Sequence, residues 1–285
     1  MKAATRSEIF LFAATCCASL MMADRASSAT FFTDSFNYAD GDLTVVGGSG
    51  NNVSGGLWVP HSGQANPPSI KVEGGKAKLL NSGSEDANRS AGTLIAAGST
   101  WYYSALVTVL DDRANPLVEA VRNEYFLHFK DASTSNFRGR AYLSSPNAAD
   151  PTKFTFGLSA TSGGQAAKWS QDLEFGKPYT LVVSYAVDTG ATSLWVDPVN
   201  AASPKITDVN GAAAFTQVNS LALRQAFISP TPGVRNNVIL VDAVALGDNF
   251  DEVLRGVAIP EPTAGLLLAL AGVAAVARRN RCRIA

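Results

Sequence analysis

The sequence predicts an all-β protein, an antiparallel β-sandwich flanked by an N-terminal signal peptide and a C-terminal transmembrane helix. Three observations support this prediction. Between residues 30 and 258, short segments rich in Val, Tyr, Phe and Thr alternate apolar with polar residues and are separated by turn clusters. No ten-residue segment of this body has a convincing helical stripe. Each end of the chain instead has an apolar run beside basic residues.

The N-terminal segment has the three parts of a secretory signal peptide. Lys2 and Arg6 give it a basic start, residues 9–23 are apolar, and a small-residue cleavage site ends at Ala29. We therefore predict that residues 1–29 are removed and that the protein is exported.

The cysteines bear on how the exported body is stabilised. Cys16 and Cys17 lie in the predicted signal peptide and Cys282 lies near the C-terminus, so residues 30–258 contain no cysteine. A disulfide framework, a thiolate metal site and a cysteine nucleophile are therefore excluded for the body. The body must be held together by its apolar core, for which its length is sufficient.

The charge balance argues against a nucleic-acid partner. The chain has 23 Lys and Arg residues against 24 Asp and Glu residues. Setting aside seven basic and three acidic residues in the two terminal segments leaves 16 against 21 in the body. Proteins that bind nucleic acid present a basic face to the phosphates, whereas this body is mildly acidic.

Five strand segments and two tight turns can be placed in the body. Gly74-Gly75, within a predicted hairpin at 70–79, supplies the positive φ angles that a two-residue turn requires. Residues 188–191 are predicted to form a second hairpin turn. This spacing is typical of an antiparallel sandwich. The strand segments are 101–110, 125–129, 153–158, 179–187 and 238–246.

The two ends of the body carry paired motifs. Phe32, Asp34 and Phe36 form an F-x-D-x-F pattern at its start, and Asp242 lies in the V-D-x-V pattern of residues 241–244. This arrangement resembles the concanavalin A-like lectin/glucanase jelly roll. The resemblance implies that residues 30–258 form one jelly-roll domain and that the first strand pairs near the last.

The same resemblance frames the search for catalytic residues. The glucanase branch uses Glu-x-Asp-x-Glu on one strand, which places acid and nucleophile on the same face. No glutamate of the body lies in that pattern, so we assign no catalytic residue. A polysaccharide hydrolase or lyase with an active site assembled from distant strands stays the alternative. The glutamates are Glu73, Glu85, Glu119, Glu124, Glu174 and Glu252.

The two histidines of the chain are predicted to be unremarkable. His128 is expected on the sheet face opposite Leu127 and Phe129, as a residue with its hydrogen bonds satisfied. His61 follows a proline and is expected in a solvated loop. Two histidines so far apart in sequence do not favour a zinc site.

Asp242 and two tryptophans are candidate ligand-binding residues. The resemblance implies a structural calcium ion near the last strand, for which Asp242 is the matching ligand, while a plain turn or edge aspartate is the alternative. Trp58 and Trp169 lie in polar surroundings and are candidate surface aromatics for stacking on sugars. Trp101 and Trp195 lie within strands and are expected in the core.

The C-terminal segment has a fixed order of elements. Pro260-Glu261-Pro262 precedes a charge-free apolar run at 264–277, and Arg278, Arg279, Arg281 and Arg283 follow. This order predicts a transmembrane helix at about 262–278 with its basic end in the cytoplasm. It resembles the PEP-CTERM sorting signal, which implies recognition by an exosortase, a membrane protease-transpeptidase. An ordinary tail anchor is the alternative.

These observations predict an exported protein of the cell surface or extracellular matrix. It is expected to start as a precursor anchored in the inner membrane, with an exosortase and an extracellular polysaccharide as partners. The body is expected to be a non-catalytic glycan-binding or structural module, with no cofactor other than the calcium ion considered above.

Overall fold

A computed structural model gives the architecture of the body. It describes residues 29–44, 52–62, 69–80, 83–111, 123–133, 135–161, 163–211, 216–225 and 238–258. The predicted signal-peptide core and the predicted sorting signal lie outside these residues. Among the residues described, no helix has the length and apolar character needed to cross a membrane.

The described residues form seventeen strands and one short helix. In chain order they are β1 (Thr30–Asp34), β2 (Gly41–Asp42), β3 (Val59–Ser62), β4 (Lys71–Glu73), β5 (Lys76–Leu80), β6 (Asp86–Ser90), β7 (Thr100–Leu110), β8 (Glu124–Lys130), β9 (Phe137–Ser144), β10 (Lys153–Ser159), β11 (Ala167–Lys168), β12 (Leu173–Glu174), β13 (Pro178–Ala186), β14 (Thr192–Val196), β15 (Ile206–Asp208), β16 (Ser220–Arg224), β17 (Val238–Gly247) and α1 (Phe250–Gly256).

The strands form two antiparallel sheets, so the predicted all-β sandwich is confirmed. Sheet I has the order β15-β14-β13-β7-β17-β5-β4-β2, with β1 also paired to β17. Sheet II has the order β11-β10-β9-β8-β16-β6-β3, with β12 also paired to β10. Their inner faces meet in one large apolar cluster, to which alternate residues of the long strands contribute.

The five predicted strands match β7, β8, β10, β13 and β17 to within one or two residues at each end. Gly74 and Gly75 have φ angles of 57° and 74° between β4 and β5, and Gly190 has a φ of 67° between β13 and β14. Both predicted hairpins are therefore confirmed, because each turn uses the positive φ that glycine provides without a Cβ clash.

The predicted contact between the first and last strands is also confirmed. β1 pairs with β17 in antiparallel register, with Asp34 opposite Val244. Beyond the strand, the Asp248 N–H donates to the Ala29 carbonyl oxygen at 3.1 Å. The start and the end of the described body therefore lie side by side.

Helix α1 was not predicted, because its seven residues are too few to display a helical stripe. Asn249 caps it by accepting a hydrogen bond from the Glu252 N–H at 3.1 Å. Its buried residues Phe250 and Val253 pack with Val182 and Trp195 on the outer face of sheet I. A helix this short is held by tertiary packing and not by its own propensity.

Candidate functional site

Several buried polar side chains of the body lie on the outer face of sheet II. Leu221 and Leu223 of β16 point into the core, so Arg224 points to the other side of the sheet. By the same alternation His128 of β8 faces outward, between the core residues Leu127 and Phe129, as predicted. We call this surface the polar face. Its members are His61, Asp86, Asn88, Tyr125, His128, Phe137, Arg140, Tyr142 and Arg224.

Strand β9 brings arginine and tyrosine to this face. Gly139 has a φ of 52°, and an added Cβ would lie 2.9 Å from the Phe129 ring. The register of β8 and β9 shifts at this glycine, so the backbone bulges beside Arg140. Only glycine fits here, because both the φ angle and the lack of space exclude a side chain.

Guanidinium groups stack against the tyrosines of the polar face. Arg224 Cζ lies 4.0 Å from the centre of the Tyr125 ring, and Arg140 Cζ lies 4.9 Å from the same ring. Tyr142 is 5.6 Å from Tyr125, measured between ring centres. Arg140 and Tyr142 both donate to the Gly163 carbonyl oxygen at 3.0 Å. The tyrosines are therefore held rigidly with positive charge beside them.

The two histidines meet on this face, although they are far apart in sequence. Their ring centres are 6.2 Å apart, and His128 lies 4.2 Å from Phe137. All four ring nitrogens are buried and have no hydrogen-bond partner in the part of the chain that the structure describes. Burial, with a smaller effect of Lys130, lowers the pKa of His61 to about 4. Burial also lowers the pKa of His128 well below its usual value. Both rings are therefore neutral at pH 7.

Two predictions about the histidines were wrong. His61 lies in β3 with a side chain that is 7% exposed, and not in a solvated loop. Within the described residues neither nitrogen of His128 has a hydrogen-bond partner, where a satisfied ring was expected. No feature of the sequence indicates that the two histidines meet. They lie near each other in space because β16 and β6 stand between β8 and β3 in the order of sheet II.

Two carboxylates on the polar face are already engaged. Asp86 accepts hydrogen bonds from Ser62 Oγ at 2.7 Å and from the Gln225 N–H at 3.2 Å, and burial raises its pKa to about 6. His61 Nε2 is 3.9 Å from Asp86, but this is no ion pair while the ring is neutral. Glu124 lies 3.2 Å from Arg224 Nη1. These contacts hold both carboxylates in place.

A cleft of about 340 Å³ opens at the β9–β10–β11 edge of the polar face. Tyr142 is its aromatic wall, and Arg140 Cζ lies 5.6 Å from the centre of the Tyr142 ring. Lys168 supplies a positive charge, and its Nζ is anchored on the Pro146 carbonyl oxygen at 2.8 Å. The residues that line the cleft are Asn123, Tyr142, Ser144, Ser145, Gly164, Gln165 and Lys168.

The prediction that Trp58 is a surface aromatic is wrong. Its side chain is fully buried, and its Nε1 donates to Asp34 Oδ2 at 2.8 Å. Its polar neighbours misled the prediction, because residues 53–56 form a turn while the indole itself is buried. Trp101 and Trp195 are buried, as predicted.

Trp169 is 7% exposed, so it is not an open surface platform either. It does line a second cavity, at the end of the sandwich below residues 169–174. Lys168 and Trp169 are neighbours in sequence but contribute to different cavities, because successive residues point to opposite sides of the backbone.

Asp242 lies at a bulge in β17, where the pairing with β7 shifts between Val241 and Ala243. Its carboxylate forms an ion pair with Lys76. Among the described residues no group of three or more His, Cys, Asp or Glu side chains is placed to hold a metal. Because β17 lies between β7 and β5, Asp242 is not on an edge strand of sheet I. Calcium binding at Asp242 stays a prediction, which melting of the protein with and without a chelator would test.

The predicted sorting residues Pro260, Glu261, Pro262, Arg278, Arg279 and Arg281 lie outside the described part of the chain.

Comparison with known proteins gives distant likenesses of fold. No protein-family model matches the chain, and no curated protein matches it. The CBM2 module of the evolved Dit protein of Lactobacillus casei BL23 phage J-1 has a TM-score of 0.46 and 8% identity, covering 78% of this chain and 96% of that one. Alginate lyase A1-II′, of polysaccharide lyase family 7, has a TM-score of 0.43 and 6% identity, covering 68% and 96%.

Peanut lectin has a TM-score of 0.44 and 11% identity, covering 79% of this chain and 98% of the lectin. At these values the likenesses assign this chain neither a family nor an activity.

Proposed function

We propose that this protein is an exported glycan-binding module whose ligand is an acidic polysaccharide. The ligand's chain lies in the cleft at the edge of the polar face, and its carboxylates face Lys168. The body has no catalytic role in this proposal.

The composition of the cleft carries the proposal. Its described lining combines an aromatic wall with amide, hydroxyl and ammonium groups and contains no carboxylate. Sugar rings present apolar C–H faces that pack on aromatic side chains, while their hydroxyls bind amide and hydroxyl groups. Lys168 is the charged side chain among the described residues that line the cleft, and it gives the cleft a positive charge within a mildly acidic body. Such a cleft favours uronic acid units over neutral sugars.

The engagement of the carboxylates supports binding over glycoside hydrolysis. A glycosidase needs one carboxyl group as acid and a second as base or nucleophile, both free to reach the sugar. Asp86 is held by Ser62 and Gln225, and Glu124 is held by Arg224. Neither is free for that work.

A glycan array that pairs neutral and acidic polysaccharides tests the proposal. We expect the protein to bind polyuronates, and Lys168→Gln to weaken that binding about tenfold, since one charged contact is lost. Lys205→Gln is the matched control, because Lys205 lies over Trp195 on sheet I, away from the cleft. Equal loss of binding in both variants would indicate a general charge effect and contradict the cleft as the site.

A polysaccharide lyase is the second candidate, and it requires the buried histidine pair to become accessible to the ligand. A neutral imidazole then removes the proton next to the uronate carboxyl group, the bond from the adjacent carbon to the glycosidic oxygen breaks as a double bond forms, and the imidazolium returns the proton to the leaving oxygen. A nearby guanidinium stabilises the charge that develops on the uronate. His128 lies 5.4 Å from Tyr125, and Arg140 stacks on that same ring. Incubation with polyuronates and measurement of the ultraviolet absorbance of unsaturated products separates the two functions. Product formation that is lost in His128→Gln would replace the binding proposal by the lyase.

Export and sorting belong to the same proposal and are supported by the sequence. Replacement of Pro260-Glu261-Pro262 by Ala-Ala-Ala leaves the apolar run and the arginines intact, so insertion into the membrane should persist. The full-length precursor should then accumulate in the inner membrane, because the sorting enzyme loses its recognition element. Processing of this variant like the parent protein would indicate a plain tail anchor.

A further inference from the structure

One strand position beneath the cleft on the polar face has no side chain. Gly157 of β10 is paired with Tyr142 of β9 on one side and with Lys168 of β11 on the other. The Gln165 side chain occupies the space beside this glycine, because a Cβ added at Gly157 would lie 2.5 Å from Gln165 Oε1. Glycine at position 157 therefore allows the Gln165 amide to lie close against the sheet.

The Gln165 amide is oriented by its neighbours. Ser144 Oγ donates a hydrogen bond to Gln165 Oε1. The three Gln165 atoms nearest to the missing Cβ of Gly157 are Cδ, Oε1 and Cγ, so the amide oxygen faces the sheet and Nε2 lies farther away. The side chain is half-buried, and Nε2 is not among the buried atoms that lack a partner. Its N–H groups are therefore available in the cleft.

Asn123, which also lines the cleft, is oriented in a similar way. Its Oδ1 accepts a hydrogen bond from the Ser145 N–H at 3.0 Å. A backbone N–H can only donate, so the amide oxygen must lie on that side and Nδ2 on the other. Asn123 is exposed to solvent, so the two N–H groups of Nδ2 can reach a ligand.

Lys168 adds a third donor with a positive charge. Its Nζ donates to the Pro146 carbonyl oxygen at 2.8 Å, which leaves two of its three N–H groups for a ligand. Together with the amides of Asn123 and Gln165, the cleft thus presents donors while the amide oxygens are engaged within the protein. An ionised carboxylate offers acceptors only, and it is the sugar substituent that matches such a set.

We propose that Asn123 and Gln165 make the cleft specific for an ionised carboxylate. Their amide N–H groups donate to the carboxylate oxygens beside the positive charge of Lys168. A neutral sugar fits less well, because the hydrogens of its hydroxyl groups meet amide oxygens that are already engaged. The inference rests on the proposed function and adds that selectivity comes from these two amides as well as from the lysine.

An isosteric change of Asn123 tests the donors. The probes are polygalacturonate and alginate, titrated by calorimetry into the full body. Asn123→Asp keeps the acceptor for the Ser145 N–H but replaces the donors by a charged acceptor, so binding should weaken at least about tenfold. Asn200→Asp is the matched control, since Asn200 is also exposed and its Oδ1 accepts from the Ala202 N–H at 2.9 Å. It lies after β14 of sheet I and does not line the cleft.

A change that leaves the charge untouched tests Gln165. Gly157 has no positive φ, so the backbone accepts alanine, but the new methyl group must displace the Gln165 side chain. Gly157→Ala should therefore weaken binding about three- to tenfold, as should Gln165→Ala. The double variant should bind no more weakly than Gln165→Ala, because the displaced side chain is already absent.

The outcomes separate this inference from the proposed function. If the parent binds either polymer and Asn123→Asp binds as well as Asn200→Asp, the inference is wrong and the proposed function stands. Parental affinity in both Gly157→Ala and Gln165→Ala would overturn it in the same way, as would a further loss in the double variant. A parent that binds neither polymer overturns both. Circular dichroism confirms folding, and if Gly157→Ala does not fold, Asn123→Asp and Gln165→Ala decide.

Discussion

At the scale of single residues, Asp34 links the start of the body to both sheets. Its carboxylate accepts hydrogen bonds from the Phe36 N–H at 2.8 Å, Tyr38 Oη at 2.6 Å and Trp58 Nε1 at 2.8 Å. Arg89 Nη1 completes the set at 2.7 Å. The side chain is 5% exposed, so all of its charge is compensated by the protein.

Asp34→Ala should therefore lower the free energy of unfolding by about 3–5 kcal/mol, because Arg89 and three donors lose a buried partner. Chemical denaturation measures the change. Asp40→Ala is the control, since Asp40 is exposed and accepts a hydrogen bond from the Gly74 N–H at 2.8 Å. A cost below about 1 kcal/mol for Asp34→Ala would contradict this account.

The histidine pair makes stability depend on pH. Each folded-state pKa is below the unfolded value near 6.5, so the unfolded chain binds more protons as the pH falls. The contribution of the two neutral histidines to the free energy of unfolding is fully present above pH 6.5. It is lost as the pH falls toward 4. Asp86 acts in the opposite direction, since its folded-state pKa is raised to about 6.

We expect the melting temperature to fall on acidification from pH 7 to pH 4.5, and to fall less in the double variant His61→Gln, His128→Gln. Thermal melts across this range compare the two proteins. In Asp86→Asn the melting temperature should fall more steeply on acidification. The variant lacks the carboxylate that takes up a proton more readily in the folded state than in the unfolded state. Identical slopes in the parent and the double variant would show that the histidines do not titrate in this way.

At the scale of elements, α1 is the piece whose stability depends most on one side chain. Phe250 lies 5.0 Å from Trp195 and 5.9 Å from Tyr102, measured between ring centres. Ser104 Oγ also donates to the Val253 carbonyl oxygen at 2.5 Å. Aromatic packing of this kind anchors a helix too short to be stable alone.

Phe250→Ala should detach α1 and expose Trp195. When the helix unfolds in the same two-state transition as the body, the free energy of unfolding should fall by about 3–5 kcal/mol. Trp195 fluorescence should shift to the red, while sugar binding on sheet II stays unchanged. Asp251→Ala, at an exposed position of the same helix, is the control. A red shift of equal size in both variants would exclude Phe250 as the anchor.

The sequence was sufficient for strands with a plain apolar pattern and insufficient for β9. β7, β13 and β17 were predicted because Val, Leu and Tyr fill one face or both. β9 was not, because Arg138, Gly139 and Arg140 interrupt its apolar pattern. The same residues bring charge and a bulge to the polar face. A strand whose apolar pattern is interrupted by charges and a bulge is therefore harder to recognise than one that fills the core.

The candidate site was less predictable than the fold, since it depends on which strands become neighbours. His61 and His128 are brought together only by the order β8-β16-β6-β3 in sheet II. Trp58 was misassigned because its buried partner, Asp34, lies 24 residues earlier in the chain. Local composition contains no information about either contact.

At the scale of the whole molecule, the ends of the body and its polar face lie on different sheets. Ala29 and Asp248 exchange hydrogen bonds beside sheet I, and Thr30 Oγ1 donates to Glu252 of α1 at 3.1 Å. The polar face is the outer surface of sheet II. If the precursor is anchored through its C-terminal segment as predicted, the body is held from the sheet I side. The polar face is then directed away from the anchor.

The central claim is that the cleft on the polar face recognises carboxylate-bearing sugars. The most direct measurement is calorimetric titration of the purified protein with one polyuronate and with the same polymer after chemical reduction of its carboxyl groups. The account predicts binding to the native polymer that weakens as salt is added, and at least about tenfold weaker binding to the reduced polymer. Equal affinity for the two polymers would contradict it.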